Sequence, residues 1–117
     1  YRELDRLRSA DDAPAPLGSA DDLLAALRQR DPAVLGAALG NDLQPAAVSL
    51  RPALAPVLRA GRAAGALAAI VSGSGPTCVF LAADAADAER IAGDLRAEGT
   101  CRDVWTAYGP VAGARVV

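Results

Sequence analysis

Apolar positions recur at helical spacing through the first part of the chain and gather into short runs later on. Leu23, Leu24 and Leu27 share a face behind Ser19-Ala20-Asp21-Asp22, where a hydroxyl and a carboxylate can satisfy the free N–H groups of a helix start. A helix is therefore predicted over about residues 20–30. Asp31 as N-cap and Pro32 in the first helical position open the next helix, with Val34, Leu35, Ala38 and Leu39 as its apolar face and Gly40 as its stop. Residues 41–63 are helical in composition but carry Pro45, Pro52 and Pro56, which cannot all be interior. The pattern predicts a short helix near 44–50 and a second from about Pro52 to Arg62, with Pro56 either kinking it or marking its start.

Beyond Gly65 the period changes. Leu67, Ile70 and Val71 run into the Gly-rich stretch 72–77, and Cys78-Val79-Phe80-Leu81 follows, which reads as a β-hairpin. Asp84 caps an amphipathic helix marked by Ala88, Ile91, Ala92 and Leu95 and ended by Gly99. Val104, Thr106 and Tyr108 alternate with Asp103, Trp105 and Ala107, a strand pattern; a turn at Gly109-Pro110 leads to a last candidate strand, 114–117. Helices followed by hairpin-linked strands predict an α+β fold, an antiparallel sheet of about four strands with helices on one face. Residues 9–18, rich in Pro, Asp and Ser, read as a linker. On this reading 1–18 is a linker or edge segment from a preceding domain and 19–117 is the folded unit. The chain opens at Tyr1 inside a polar helical pattern, as a piece of a longer protein would.

Composition narrows the chemistry. The 117 residues suit one domain, and 52% are apolar; with one Phe, one Trp and two Tyr, the core must be built from Ala, Leu and Val. A net charge of −2 argues against nucleic acid as a partner. No apolar run approaches the ~18 residues of a membrane span. There is no His, Lys or Met. That excludes Ser-His-Asp and Cys-His catalysis, a Schiff base and the Lys of a phosphate-binding P-loop within this chain. Two Cys without His cannot make a Cys/His zinc site. Cys78 and Cys101 are expected to be reduced and buried, as in a cytoplasmic protein.

One segment carries candidate chemistry: Ser72, Gly73, Ser74, Gly75, Pro76 and Thr77. Gly73 and Gly75 can take positive φ, successive N–H groups in such a turn form a nest for phosphate oxygens, and three hydroxyls add donors. The plain alternative is a hairpin turn. The loop runs into a strand rather than a helix, so it does not fit a dinucleotide fold. Asn41-Asp42-Leu43-Gln44 is a second candidate, with Asn41 and Asp42 its possible site residues, though Asn and Asp before a helix act chiefly as caps. Asp84 and Asp87 read as a cap and a solvated face.

VSGSGPTCVFL at 71–81 resembles the third signature motif of the GHMP small-molecule kinases. NDLQPAAVSLRP at 41–52, AGALAAIVSGSGPTCVFLA at 64–82 and GPVAGARVV at 109–117 extend the likeness, which is most specific from Asn41 to Ala82. The resemblance implies the C-terminal domain of such a kinase, ferredoxin-like in type, with the active site in a cleft against an N-terminal domain. It implies transfer of the γ-phosphoryl group of ATP, with Mg2+, to a hydroxyl of a small cytidyl diphosphate substrate in isoprenoid precursor synthesis. Ser72, Gly73, Ser74, Gly75, Pro76 and Thr77 would then lie beside the phosphates. The family's ATP-cradling loop and its catalytic Asp and Lys belong to the N-terminal domain and match nothing here, so this chain alone should be inactive. The rival expectation is a non-catalytic α+β module that binds a small ligand or dimerises.

Overall fold

In a computed structural model of the chain, residues 1–12, 14–17 and 19–116 are described. The elements are α1 (Arg2–Ser9), α2 (Asp21–Gln29), α3 (Pro32–Ala38), α4 (Gln44–Leu50), α5 (Leu54–Ala63), β1 (Ala68–Val71), β2 (Cys78–Leu81) and α6 (Ala85–Glu98). The expected caps form at α3 and α6, whereas Ser19 does not cap α2, whose N-cap is Ala20. The Asp31 carboxylate accepts from the Ala33 and Val34 N–H groups at 2.8 and 3.4 Å, and that of Asp84 accepts from Asp87 N–H at 2.8 Å. Gly99 ends α6 in the left-handed region, with φ +71°. Pro45 and Pro56 both fall in first turns, where a missing N–H breaks no helical bond, so α5 runs unbroken from Leu54.

The sheet has two strands, β1 antiparallel to β2 with Val71 opposite Cys78 and Ala68 opposite Leu81. This corrects the expectation of about four. The alternation holds only as far as residue 107, since Val104 and Thr106 are half-buried and Trp105 is exposed but Tyr108, expected to face inward, is exposed too. Among the described residues, however, no strand lies beside this segment to complete a ladder. It is held along α6 by side chains instead: Arg96 donates to the Val104 carbonyl at 3.0 Å and Thr106 Oγ1 donates to Glu89 at 2.8 Å. Residues 114–116 form no strand either, and Val117 lies outside the described residues.

Packing radiates from the hairpin. Ala69 and Val71 of β1 bury against Leu54 and Leu58 of α5 and Ala47 of α4. Phe80 of β2 extends that cluster toward Ala60, Ile91 and Leu95, where Val104 also packs. Arg90 of α6 donates to the Ala64 carbonyl at the C-terminus of α5 at 2.7 Å, placing a cation where the helix dipole is negative, and pairs with Asp87 and Asp94 on its own helix. α3 seats itself through Gly36, where an added Cβ would stand 3.0 Å from the Leu67 carbonyl oxygen. No helix is long and apolar enough to cross a membrane among the described residues.

Most of residues 1–8, expected as a linker or edge segment, lie in α1, which buries Leu4 and Leu7 against Ala46 of α4, and Ser49 of α4 donates to Glu3 at 2.6 Å. One further expectation is corrected. On α2 the expected apolar face is turned largely outward: Leu24 and Leu27 are exposed and Ala26 is the buried residue.

Two measurements check this packing. A Cβ at Gly61 would stand 2.0 Å from the Phe80 ring, whereas one at Gly93, exposed on α6, meets nothing within 4 Å. Gly61→Ala should lower the unfolding free energy by about 1–3 kcal/mol through overpacking. Gly93→Ala should raise it by about 0.5–1 kcal/mol through helix propensity. Denaturant midpoints read both. The second concerns acid. Hydrogen bonds from Arg6 and Ser49 lower the Glu3 carboxyl to about 2 from the ordinary 4.5. A depressed folded pKa means stabilisation that is present above the unfolded value and is lost as pH falls through the folded one. The gap in Tm between wild type and Glu3→Gln should therefore be full at neutral pH and close between pH 4.5 and about 2.

Candidate functional site

The stem of the hairpin ends at Val71, whose side chain is wholly buried, and the Gly-rich loop emerges from it into solvent. Ser72 N–H donates to the Thr77 carbonyl at 2.8 Å and closes the loop; Gly75 N–H donates to the Ser72 carbonyl at 2.9 Å and forms a turn inside it. Both glycines take the positive φ expected of them, +55° at Gly73 and +78° at Gly75. They differ in surroundings. A Cβ at Gly73 would meet nothing within 4 Å, while one at Gly75 would lie 3.2 Å from Val71 Cγ1 and 3.6 Å from Leu54 Cδ1, against the core.

Gly75 N–H is engaged within the loop. Among the described residues, the N–H groups of Gly73, Ser74 and Thr77 and the hydroxyls of Ser72, Ser74 and Thr77 have no hydrogen-bond partner in the protein. The loop thus presents a cluster of neutral donors and no carboxylate, a set suited to phosphate oxygens rather than to a cation. Pro76 turns the chain back into β2, and its carbonyl oxygen lies 3.9 Å from the Cys78 thiol. Burial, with a smaller contribution from Cys101, pushes the Cys78 thiol up, which leaves it a poor nucleophile at neutral pH. Cys78 and Cys101 are both free.

Asn41 and Asp42, adjacent in sequence, part company in space. The Asp42 carboxylate accepts from Leu17 N–H at 2.9 Å and pins the linker. Asn41 is half-buried and reaches the loop: its Nδ2 donates to the carbonyls of Val71 and Gly73, each at 2.7 Å, while its Oδ1 accepts from Leu43 N–H at 3.0 Å. Gln44, the last residue of the candidate stretch Asn41-Asp42-Leu43-Gln44, accepts from Val71 N–H at 2.9 Å through Oε1. A cavity of about 220 Å³ lies beside this stem, lined by Asn41, Gln44, Arg62 and the outer side of β1. Among the described residues, no group of His, Cys, Asp or Glu side chains is placed to hold a metal ion.

The family described as GHMP kinases C terminal matches residues 23–101, which spans α2 through α6 and includes the loop. The chain belongs to the GHMP kinase C-terminal family. Among curated relatives, the 4-diphosphocytidyl-2-C-methyl-D-erythritol kinase of Salinispora arenicola is 73% identical over 99% of this chain. That of Salinispora tropica is 74% identical over 99% of it, and that of Thermobifida fusca 61% identical over 100%. The chain spans 37% of the length of each of these relatives. The Gly-rich stretch lies on an exposed turn between two antiparallel strands, as the hairpin pattern of the sequence predicted.

The difference between the two glycines gives a stability test. Gly73→Ala should lower the unfolding free energy by about 1–2 kcal/mol, the left-handed backbone penalty alone. Gly75→Ala should cost more, because the same penalty is joined by the 3.2 Å approach to Val71. Equal losses would show that the core does not feel a side chain at Gly75.

Proposed function

We propose that this chain serves as the C-terminal domain of a 4-diphosphocytidyl-2-C-methyl-D-erythritol kinase. In that enzyme the γ-phosphoryl group of ATP passes to the 2-hydroxyl of the cytidyl diphosphate substrate, in the non-mevalonate route to isoprenoid precursors. The observation that carries this reading is the loop of unpartnered donors at Ser72–Thr77, in a chain 73% identical over nearly its full length to a kinase of that name. Phosphoryl transfer needs reactants held in line and spreading negative charge met by fixed dipoles, and it asks little covalent chemistry of the protein. Backbone N–H groups on a short, closed loop supply such dipoles without rearranging as charge develops.

On this reading the partner is the kinase's own N-terminal domain, and the loop faces the cleft between the two. ATP and its Mg2+ are held chiefly there, since this chain offers no Lys and its loop no carboxylate. Its free thiols fit a cytoplasmic setting.

The test is made in the full-length protein. Gly73→Val drives the loop out of its conformation without touching the core, since nothing lies within 4 Å of its Cβ. It should lower kcat/KM by about 10²-fold, the size of one lost transition-state donor. The isolated 117-residue chain should transfer no phosphoryl group from ATP. Wild-type turnover in Gly73→Val would reduce the loop to a turn and favour the non-catalytic binding or dimerisation module.

A further inference from the structure

We propose that Asn41 is a positioning residue for the glycine loop: its amide sets the peptide plane between Gly73 and Ser74 and so aims the Ser74 N–H at the phosphate. The inference rests on reading the loop as a phosphate site and adds to that reading the residue that orients it.

The argument begins with hydrogen-bond valence. A primary amide has two N–H donors and an oxygen acceptor. In Asn41 both donors are engaged, by the Val71 and Gly73 carbonyl oxygens at 2.7 Å each, and the oxygen takes Leu43 N–H at 3.0 Å. The partners leave one orientation for the amide: turned over, its oxygen would face two carbonyl oxygens and its NH2 a backbone N–H.

A trans peptide unit is planar, with its C=O and the following N–H on opposite sides. Holding a carbonyl therefore aims the next N–H the other way. The Val71–Ser72 unit shows this directly. Its carbonyl is held by Asn41, and its N–H points across the hairpin to the Thr77 carbonyl at 2.8 Å. The Gly73–Ser74 unit is held in the same manner, and its N–H has no partner in the protein among the described residues. Its carbonyl is drawn back toward the α3–α4 connection, so the Ser74 N–H faces away from it, on the open side of the loop. Gly73, at φ +55°, is the flexible joint that this second bond immobilises. Gln44 steadies the base of the same arrangement by accepting Val71 N–H at 2.9 Å.

A local turn role alone does not explain this. The Asx turn ahead of α4 uses only the Asn41 oxygen toward Leu43, while the N-cap of α4 is Leu43 itself, and Asp or Ser serves that turn equally well. The two donors, which reach 30 and 32 residues along the chain, are what Asp and Ser cannot supply at this distance. Asp matches Asn in shape but presents oxygen to both carbonyls; Ser stays neutral but is too short to reach them.

The experiment uses the full-length kinase with ATP and its cytidyl diphosphate substrate, and compares Asn41→Asp, Asn41→Ser and Gly73→Val. Both Asn41 variants can keep the turn bond to Leu43 and should remain folded. Each should lower kcat by about 10–100-fold, the effect of a misaimed group near the reacting atoms. KM for either substrate should move less than about threefold, because the donor acts on charge that develops in the transition state. Amide hydrogen exchange should quicken within 71–77 and stay unchanged in α1 and α6. Wild-type kcat in both Asn41 variants, with Gly73→Val impaired, would overturn the positioning role and leave the loop's function standing. Loss in the Asn41 variants with wild-type turnover in Gly73→Val would refute the loop reading and the inference together, as would wild-type turnover in all three. A loss of activity that matches a loss of folded protein would make Asn41 structural only.

Discussion

The structure turns on how the end of β1 is secured. Val71 buries its side chain completely, and its backbone faces an edge of the sheet where, among the described residues, no strand lies beside it. A buried N–H or C=O left without a partner costs about 1–3 kcal/mol. Here Gln44 takes the N–H and Asn41 the carbonyl, while Arg62 of α5 donates to the Ala69 carbonyl at 3.2 Å further down the strand. Side chains from the helical part of the chain thus stand in for a third strand. The hairpin, the helices α4 and α5 and the loop are joined at this seam.

What could be read from the chain and what could not divide along one physical line. Signals acting within a turn or two were legible: Asp31 and Asp84 as caps, Gly99 as a stop, the positive φ of Gly73 and Gly75. Asn41 was half legible. The expected cap is not made, since Leu43 is the N-cap of α4; a turn bond over two residues takes its place and follows from residue type, whereas the bonds to Val71 and Gly73 depend on how α4 docks against the hairpin. The segment around Val104 failed for a related reason, since alternation describes which side chains turn inward but a strand also needs a neighbour for its backbone. Leu4 and Leu7 were overlooked because their partner, Ala46, lies far along the chain. Leu24 and Leu27 show the converse: an apolar face predicts burial only where something packs on it.

The candidate site follows the same economy. With no charged side chain in the loop, what it offers is three hydroxyls and the direction of its peptide dipoles. A dipole is useful to a reacting phosphate only if it is already oriented, so rigidity is the chemical property that matters here. Two glycines make such a loop possible and also make it loose, because glycine has the largest backbone freedom to lose. A closed hairpin base and side-chain anchoring are what limit that freedom.

The reach of Asn41 also bears on the order in which the domain assembles. The hairpin joins residues only a few positions apart, and such contacts close early and at small entropic cost. The bonds from Asn41 span 30 and 32 residues and cannot form until the intervening helices have docked. The bend of the glycine turn is thus a local matter, while its aim is a property of the whole domain: anything that loosens α4 from the hairpin also loosens the loop.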